Sequence, residues 1–139
     1  MTKILLVEDD PLIYRMYQKV LKLEGFTTDL AKDGQEGLNK LKTSKPDIIL
    51  LDVMMPKMNG IEMLSKIKAD SKTKSIPVII LTNVADAGVN HELFGKGASM
   101  IIVKSETEPD QVVGWINSVL EKAKGSADKT RAEEPPTPE

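Results

Sequence analysis

The chain has 139 residues, a formal net charge of −2, and 40% hydrophobic against 29% charged residues. That is the size and balance of one globular domain. With no Cys and a single His, disulfides, Cys-ligated zinc, iron–sulfur clusters, thiol nucleophiles and multi-His metal sites are excluded. The −2 belongs to the tail from Gly125, GSADKTRAEEPPTPE, which holds Asp128, Glu133, Glu134 and Glu139 against Lys129 and Arg131. Residues 1–124 are left neutral, with 17 basic and 17 acidic side chains. We therefore expect a domain over 1–124 and a disordered, acidic, Pro-containing tail over 125–139. Arg15 is the only Arg of the neutral part, which argues against direct nucleic-acid binding. The start MTKILLVEDD is too short for a signal peptide and no apolar run approaches membrane length, so a cytoplasmic location away from membranes is expected.

In chain order, the apolar run Ile4 to Val7 predicts a first strand. Asp10-Pro11 then reads as a cap and first helical position, followed by Leu12, Ile13, Met16, Tyr17, Val20 and Leu21 at helical spacing and closed by Gly25. A weaker strand over Phe26 to Ala31 is interrupted by threonines and Asp29, which suits a sheet edge. Asp33-Gly34 opens a short helix marked by Leu38 and Leu41, and Ile48 to Leu51 is the next strand. Asn59 with Glu62 suggests a capped third helix presenting Ile61, Leu64 and Ile67. Val78 to Leu81 is a fourth strand, Asp86 to Phe94 the weakest helix, and Met100 to Val103 the last strand. Val112, Ile116, Val119 and Ala123 mark a final helix. Strands alternating with helices, and near-continuous β-branched and Leu runs, predict an α/β parallel sheet covered on both faces.

In such a sheet, sites gather at the carboxyl ends of the strands. The four strong runs end in Glu8, Asp9 and Asp10, in Asp52, in Thr82 and Asn83, and in Lys104. Each residue alone has an ordinary explanation as a cap, turn or surface group. Taken jointly they suggest a chemistry. Carboxylates brought close repel one another unless a cation sits among them, and oxygen ligands without His or Cys favour Mg²⁺. A carboxylate beside such an ion is a nucleophile toward phosphorus, with a hydroxyl and an ammonium left to hold the phosphoryl oxygens. Asp52 is the natural nucleophile, Glu8 and Asp9 the metal ligands, and Thr82 and Lys104 the phosphoryl contacts.

ILLVEDDP, DIILLDVMMPKMNGIEML, IPVIILTN and GASMIIVK, in this order and spacing, resemble the receiver domain of two-component response regulators, of the stand-alone type. The likeness runs from residue 3 to about residue 123. It implies a flavodoxin-like (βα)5 doubly wound sheet of order 2-1-3-4-5. It also implies that Asp52 accepts a phosphoryl group from the phosphohistidine of a sensor kinase or phosphotransfer protein. Glu8, Asp9 and the backbone carbonyl of Met54 are then Mg²⁺ ligands with Asp52, Thr82 the switch hydroxyl, and Lys104 the phosphoryl-contacting Lys. In the family, phosphorylation reshapes the surface of the fourth helix, fifth strand and fifth helix. The implied role is a signalling receiver with a downstream protein target, not a turnover enzyme; a phosphorylation-dependent homodimer stays open.

The sequence departs from the family at several positions. Ile101 stands at the aromatic switch position, Ser105 replaces the Pro that follows the Lys, and Asn83 stands where a small residue is usual. A non-proline cis bond costs roughly 3–4 kcal/mol, so a trans loop after Lys104 is expected. Met54 and Val84 are apolar where relatives line the phosphoryl group, neither orients an attacking water, and a long-lived aspartyl-phosphate is expected. Met54 also stands where an aspartyl-phosphate phosphatase would carry its second Asp, and the acidic EDDP stands where a nucleotide binder would carry a Gly-rich phosphate loop. The remaining rival is a receiver-like interaction module that works without phosphorylation. Met54, Met55 and Met58 are read as loop packing, His91 as an exposed helix residue, Trp115 as half exposed and Asn59-Gly60 as a turn and helix start.

Overall fold

The computed structural model describes residues 2–53, 60–83 and 87–125. The elements are β1 (Lys3–Val7), α1 (Pro11–Leu23), β2 (Thr27–Ala31), α2 (Gly34–Leu41), β3 (Ile48–Asp52), α3 (Gly60–Ala69), β4 (Val78–Thr82), α4 (Ala87–Gly95), β5 (Met100–Val103) and α5 (Pro109–Gly125). A 3-10 turn over Lys104–Glu106 joins β5 to α5. The predicted cap at Asp10 forms, its Oδ1 accepting from Leu12 N at 2.9 Å, and at the start of the second helix Asp33 Oδ1 accepts from Glu36 N at 2.8 Å. Gly25 closes α1 at φ +88°, a left-handed conformation that side chains with a Cβ disfavour. The predicted cap Asn59, the start of the fourth helix at Asp86, and Met54, Met55, Met58 and Val84 lie outside the described residues, as does the tail from 126. α5 includes Gly125, one residue beyond the expected domain boundary.

The sheet is parallel throughout, in the order β2-β1-β3-β4-β5. Alternation along the strands builds two cores. Leu5, Val7, Ile49, Leu51, Val78, Ile80 and Ile101 face Met63, Leu64 and Ile67 of α3 and Leu93 of α4. Ile4, Leu6, Ile48, Leu50, Ile79, Leu81, Met100 and Ile102 face Tyr17 and Leu21 of α1 and Val112, Ile116 and Val119 of α5. β1, β3, β4 and β5 have apolar neighbours on both sides, so continuous apolar runs replace alternation. β2 lies at an edge, as its Thr and Asp content suggested.

Two helical faces differ from expectation. Leu12 and Met16 belong to the apolar spacing of α1 yet are 74% and 40% exposed. The buried line of α1 runs through Tyr17 and Leu21, and Leu12 and Met16 fall well to one side of it at 100° per residue. In α3 the buried line is Met63, Leu64 and Ile67, while Ile61 is half-buried. Met63 fits against Gly37, where an added Cβ would lie 2.6 Å from Met63 Cε, so α2 and α3 meet through a glycine.

Candidate phosphoacceptor site

Parallel pairing brings the carboxyl ends of all five strands to one rim. Val7 is level with Ala31 on one side and Leu51 on the other, Asp52 with Leu81, and Thr82 with Val103. The next residues along these strands are therefore neighbours in space. Glu8 extends the pairing of β1, its N–H donating to Ala31 O at 3.0 Å. By alternation Glu8 follows Leu6, and Asp52 follows Leu50, toward the α1–α5 face of the sheet. Both carboxylates are thereby held in the interior: Glu8 is 1% and Asp52 2% exposed, whereas Asp9 is exposed.

Ligand oxygens of Glu8, Asp9 and Asp52 lie within 4.8 Å of one another. Lys104, delivered by β5 from 96 positions along the chain, places Nζ 3.1 Å from Glu8 Oε2 and 3.3 Å from Asp52 Oδ2. Glu8 Oε1 accepts from Asp10 N at 3.3 Å. Thr82 ends β4 beside Asp52 and is buried. All five side chains chosen from the sequence thus meet at one rim, and the Met54 carbonyl lies outside the described residues.

The electrostatics follow from burial. Withdrawal from water raises the Glu8 carboxyl to about 7, the charge of Asp52 adds to the rise, and Lys104 opposes it by charge and hydrogen bond. One ammonium is thus set among three carboxylates, which leaves an excess of negative charge suited to a divalent cation.

Three contributors were not legible as such in the sequence. Gly60, read as a turn and helix start, also donates its N–H to Val53 O at 3.1 Å. A Cβ there would stand 2.5 Å from Val53 Cα and 2.7 Å from Asp52 O, so glycine lets α3 start directly against the end of β3. The Asp10 backbone N–H reaches Glu8 although the Asp10 side chain is a cap. Tyr17, one of several apolar candidates on α1, is buried, and burial followed by the charge of Glu8 pushes its phenol to about 12. A capping Asp, an NG dipeptide and a Tyr at helical spacing each have an ordinary use, so only their spatial neighbours reveal the second one.

The departures also find their places. Ile101 packs in the α3–α4 core at 4% exposure, filling with a branched aliphatic group the position of an aromatic switch. Among the described residues no peptide bond is cis, and Ser105 lies in the 3-10 turn. His91 is exposed on α4, while Trp115 is half-buried and packs against the α1–α5 core.

The model of the response regulator receiver domain family matches residues 4–116. Hybrid signal transduction histidine kinase D of Dictyostelium discoideum is 34% identical over 122 residues, covering 87% of this chain and 8% of that protein. The transcriptional regulatory protein CpxR homolog of Haemophilus influenzae is 46% identical over 82 residues, covering 59% of this chain and 34% of that one. Among the curated relatives compared, the chain spans between 8% and 48% of their length. Similar solved structures include the CheY-like receiver domain protein of Methanospirillum hungatei JF-1, with TM-score 0.84, 25% identity and coverage of 91% of this chain and 98% of that one. Chemotaxis response regulator CheY4 of Vibrio cholerae gives TM-score 0.80 and 30% identity over 86% of this chain and 98% of that one. Fold, rim and family model agree, and the chain belongs to the response regulator receiver domains of two-component signalling.

Proposed function

We propose that the chain takes a phosphoryl group onto Asp52 from a phosphohistidine of a sensor kinase or phosphotransfer protein. The observation that carries this reading is the gathering of Glu8, Asp9 and Asp52 within 4.8 Å, with Lys104 against two of them. An Asp52 oxygen attacks phosphorus, the phosphorus–nitrogen bond breaks, and the imidazole leaves with that electron pair. Glu8, Asp9 and Asp52 offer the hard oxygen ligands that fit Mg²⁺, with the Met54 carbonyl as the further ligand the family likeness implies. A bound Mg²⁺ would neutralise charge that develops on the transferred group. Thr82 and Lys104 are assigned to the phosphoryl oxygens, which Lys104 reaches from its place 3.3 Å from Asp52.

The added charge of about −1.5 to −2 biases the surface of α4, β5 and α5 through Thr82, and that surface meets a downstream protein. With Ile101 buried in place of an aromatic ring, the switch depends on Thr82 and backbone movement. The chain is then a receiver that promotes its own Mg²⁺-dependent phosphorylation without turnover of a substrate. Among the described residues no helix is long and apolar enough to cross a membrane, and we place the exchange in the cytoplasm. Met54 and Val84 stand in the sequence at positions that line the phosphoryl group in relatives; neither side chain can orient a water, and the aspartyl-phosphate is expected to be long-lived.

Incubation with Mg²⁺ and a small acyl-phosphate donor, followed by intact mass measurement, tests the reading. One added phosphoryl group is expected on the parent chain and none on Asp52→Ala. Equal labelling of the two, or no added mass on the parent, overturns it. The second outcome would favour a phosphorylation-independent interaction module, the reading to which Ile101, Asn83 and Ser105 point. Loss of the added mass within minutes, without any phosphatase, would refute the long lifetime.

A further inference from the structure

The neutrality of the domain conceals a separation of charge between the two ends of the sheet. At the carboxyl end, the loops and first helical turns hold Glu8, Asp9, Asp10, Asp33, Glu36 and Glu62, with three further acids after β5, while Lys32 and Lys104 are the described basic residues there. At the amino end, the loops hold Lys42, Lys45, Lys72, Lys74 and Lys96 against Glu24, Asp47 and Asp70. Part of this pattern offsets the helix dipoles, since all five helices begin at one end and finish at the other. The loop lysines exceed that need. Asp47 accepts from Lys3 N at 2.8 Å, which ties the loop before β3 to β1, and Asp70 accepts from Lys72 N at 2.9 Å within its turn, so both are engaged with backbone N–H groups. None of the five loop lysines makes an ion pair with another described residue, and Lys42, Lys45, Lys72 and Lys74 are exposed.

A second, independent feature begins at the same rim. α5 starts beside β5 at the carboxyl end and ends at Gly125 at the amino end. The chain then continues to AEEPPTPE over 132–139, which holds Glu133, Glu134 and Glu139 and no basic residue. Nine residues separate Gly125 from Glu134 and span at most about 30 Å. Five strands are about 19 Å across, so the extended segment exceeds the width of the sheet. Pro135, Pro136 and Pro138 reduce the conformational freedom lost on docking. Tethering supplies an effective concentration in the millimolar range for short flexible linkers.

We propose that residues 132–139 dock on the lysine rim at the amino end of the sheet, on the side of the molecule opposite Asp52. The inference does not rest on the phosphoacceptor reading. Amide spectra of the full parent chain and of a full chain carrying Glu133→Gln, Glu134→Gln and Glu139→Gln test it. At low ionic strength the amides of Lys42, Lys45, Lys72, Lys74 and Lys96 are expected to differ between the two, and Lys72→Glu with Lys74→Glu should reproduce the loss. At 1 M salt, where the screening length is about 3 Å, the difference should vanish. Differences confined to the last turn of α5, or none at all, overturn the proposal. Differences that fade on dilution overturn it as well, because they assign the rim to the tail of a second copy. Phosphoryl labelling of Asp52 should be the same in both chains, so failure of one reading leaves the other intact.

Discussion

Lys104 and Lys68 sit at opposite ends of the same sheet, each largely withdrawn from water, and each solves burial differently. Lys104 lies 3.1 Å from Glu8 and 3.3 Å from Asp52, so its charge is matched by opposite charges. Lys68, near the end of α3, donates to the carbonyls of Lys74 at 2.9 Å and Ile76 at 2.8 Å and thereby fastens the α3–β4 loop. Carbonyl dipoles satisfy its hydrogens without matching its charge, and desolvation lowers its pKa. The carboxyl rim holds uncompensated charge that a ligand can answer, whereas the Lys68 arrangement is complete in itself. The same residue type neutralises buried carboxylates in one place and fastens a loop in the other.

Removing each ammonium is the most direct way to break that comparison. Lys104→Met leaves Glu8 and Asp52 buried without their cation and should cost about 3–5 kcal/mol in metal-free buffer at pH 8, measured by urea unfolding. Lys68→Met loses two hydrogen bonds but also relieves a desolvated charge, so its cost should stay within about 1 kcal/mol. Equal costs would mean that the two lysines do the same work.

A pH series sharpens the electrostatic side. Glu8 is raised from 4.5 to about 7 in the folded protein, so the folded state binds that proton more tightly than the unfolded state. The resulting stability is fully present below 4.5 and is lost as pH rises through 7, by on the order of 3 kcal/mol without metal. Mg²⁺ should restore stability mainly above pH 7, and Glu8→Gln should flatten this part of the profile. A metal-free protein that gains stability from pH 5 to pH 8 would contradict the assignment.

Two glycines give the smaller contrasts. Gly60→Ala drives a Cβ to 2.5 Å from Val53 Cα and should cost about 1–3 kcal/mol while displacing α3 from the end of β3. Gly114, inside α5, is exposed and has nothing within 4 Å of an added Cβ. There Ala should raise stability by up to about 1 kcal/mol through helix propensity alone. Thermal unfolding of both variants measures the difference, and a destabilised Gly114→Ala would show that the face is not open.

Much of this was legible along the chain because it rests on local physics. Apolar runs without alternation mark strands covered on both faces, and Asp10-Pro11 and Asp33-Gly34 mark helix starts, the Asp10 cap forming as expected and Asp33 supplying another. Glu8, Asp9, Asp52, Thr82 and Lys104 were selected because each follows such a run, and parallel pairing then carries them to one rim. The outward turn of Leu12 and Met16 was not legible, because spacing gives a helix its period but the neighbouring helix decides which stripe is covered. Met63 was missed for the same reason: its partner is the bare Gly37, a gap that belongs to a different helix.

The sequence by itself determined the alternation of strands and helices, the residues that end each strand, and a total charge near zero. Those follow from periodicity, capping and composition, which act over a few neighbouring residues. Only the tertiary structure decided that Glu8 and Asp52 are buried together with Lys104 between them, that Gly60 lets α3 begin against Asp52, and that acids and lysines part to opposite rims. Dielectric, distance and sign set the strength of charge interactions, and those three quantities exist only once the strands are side by side.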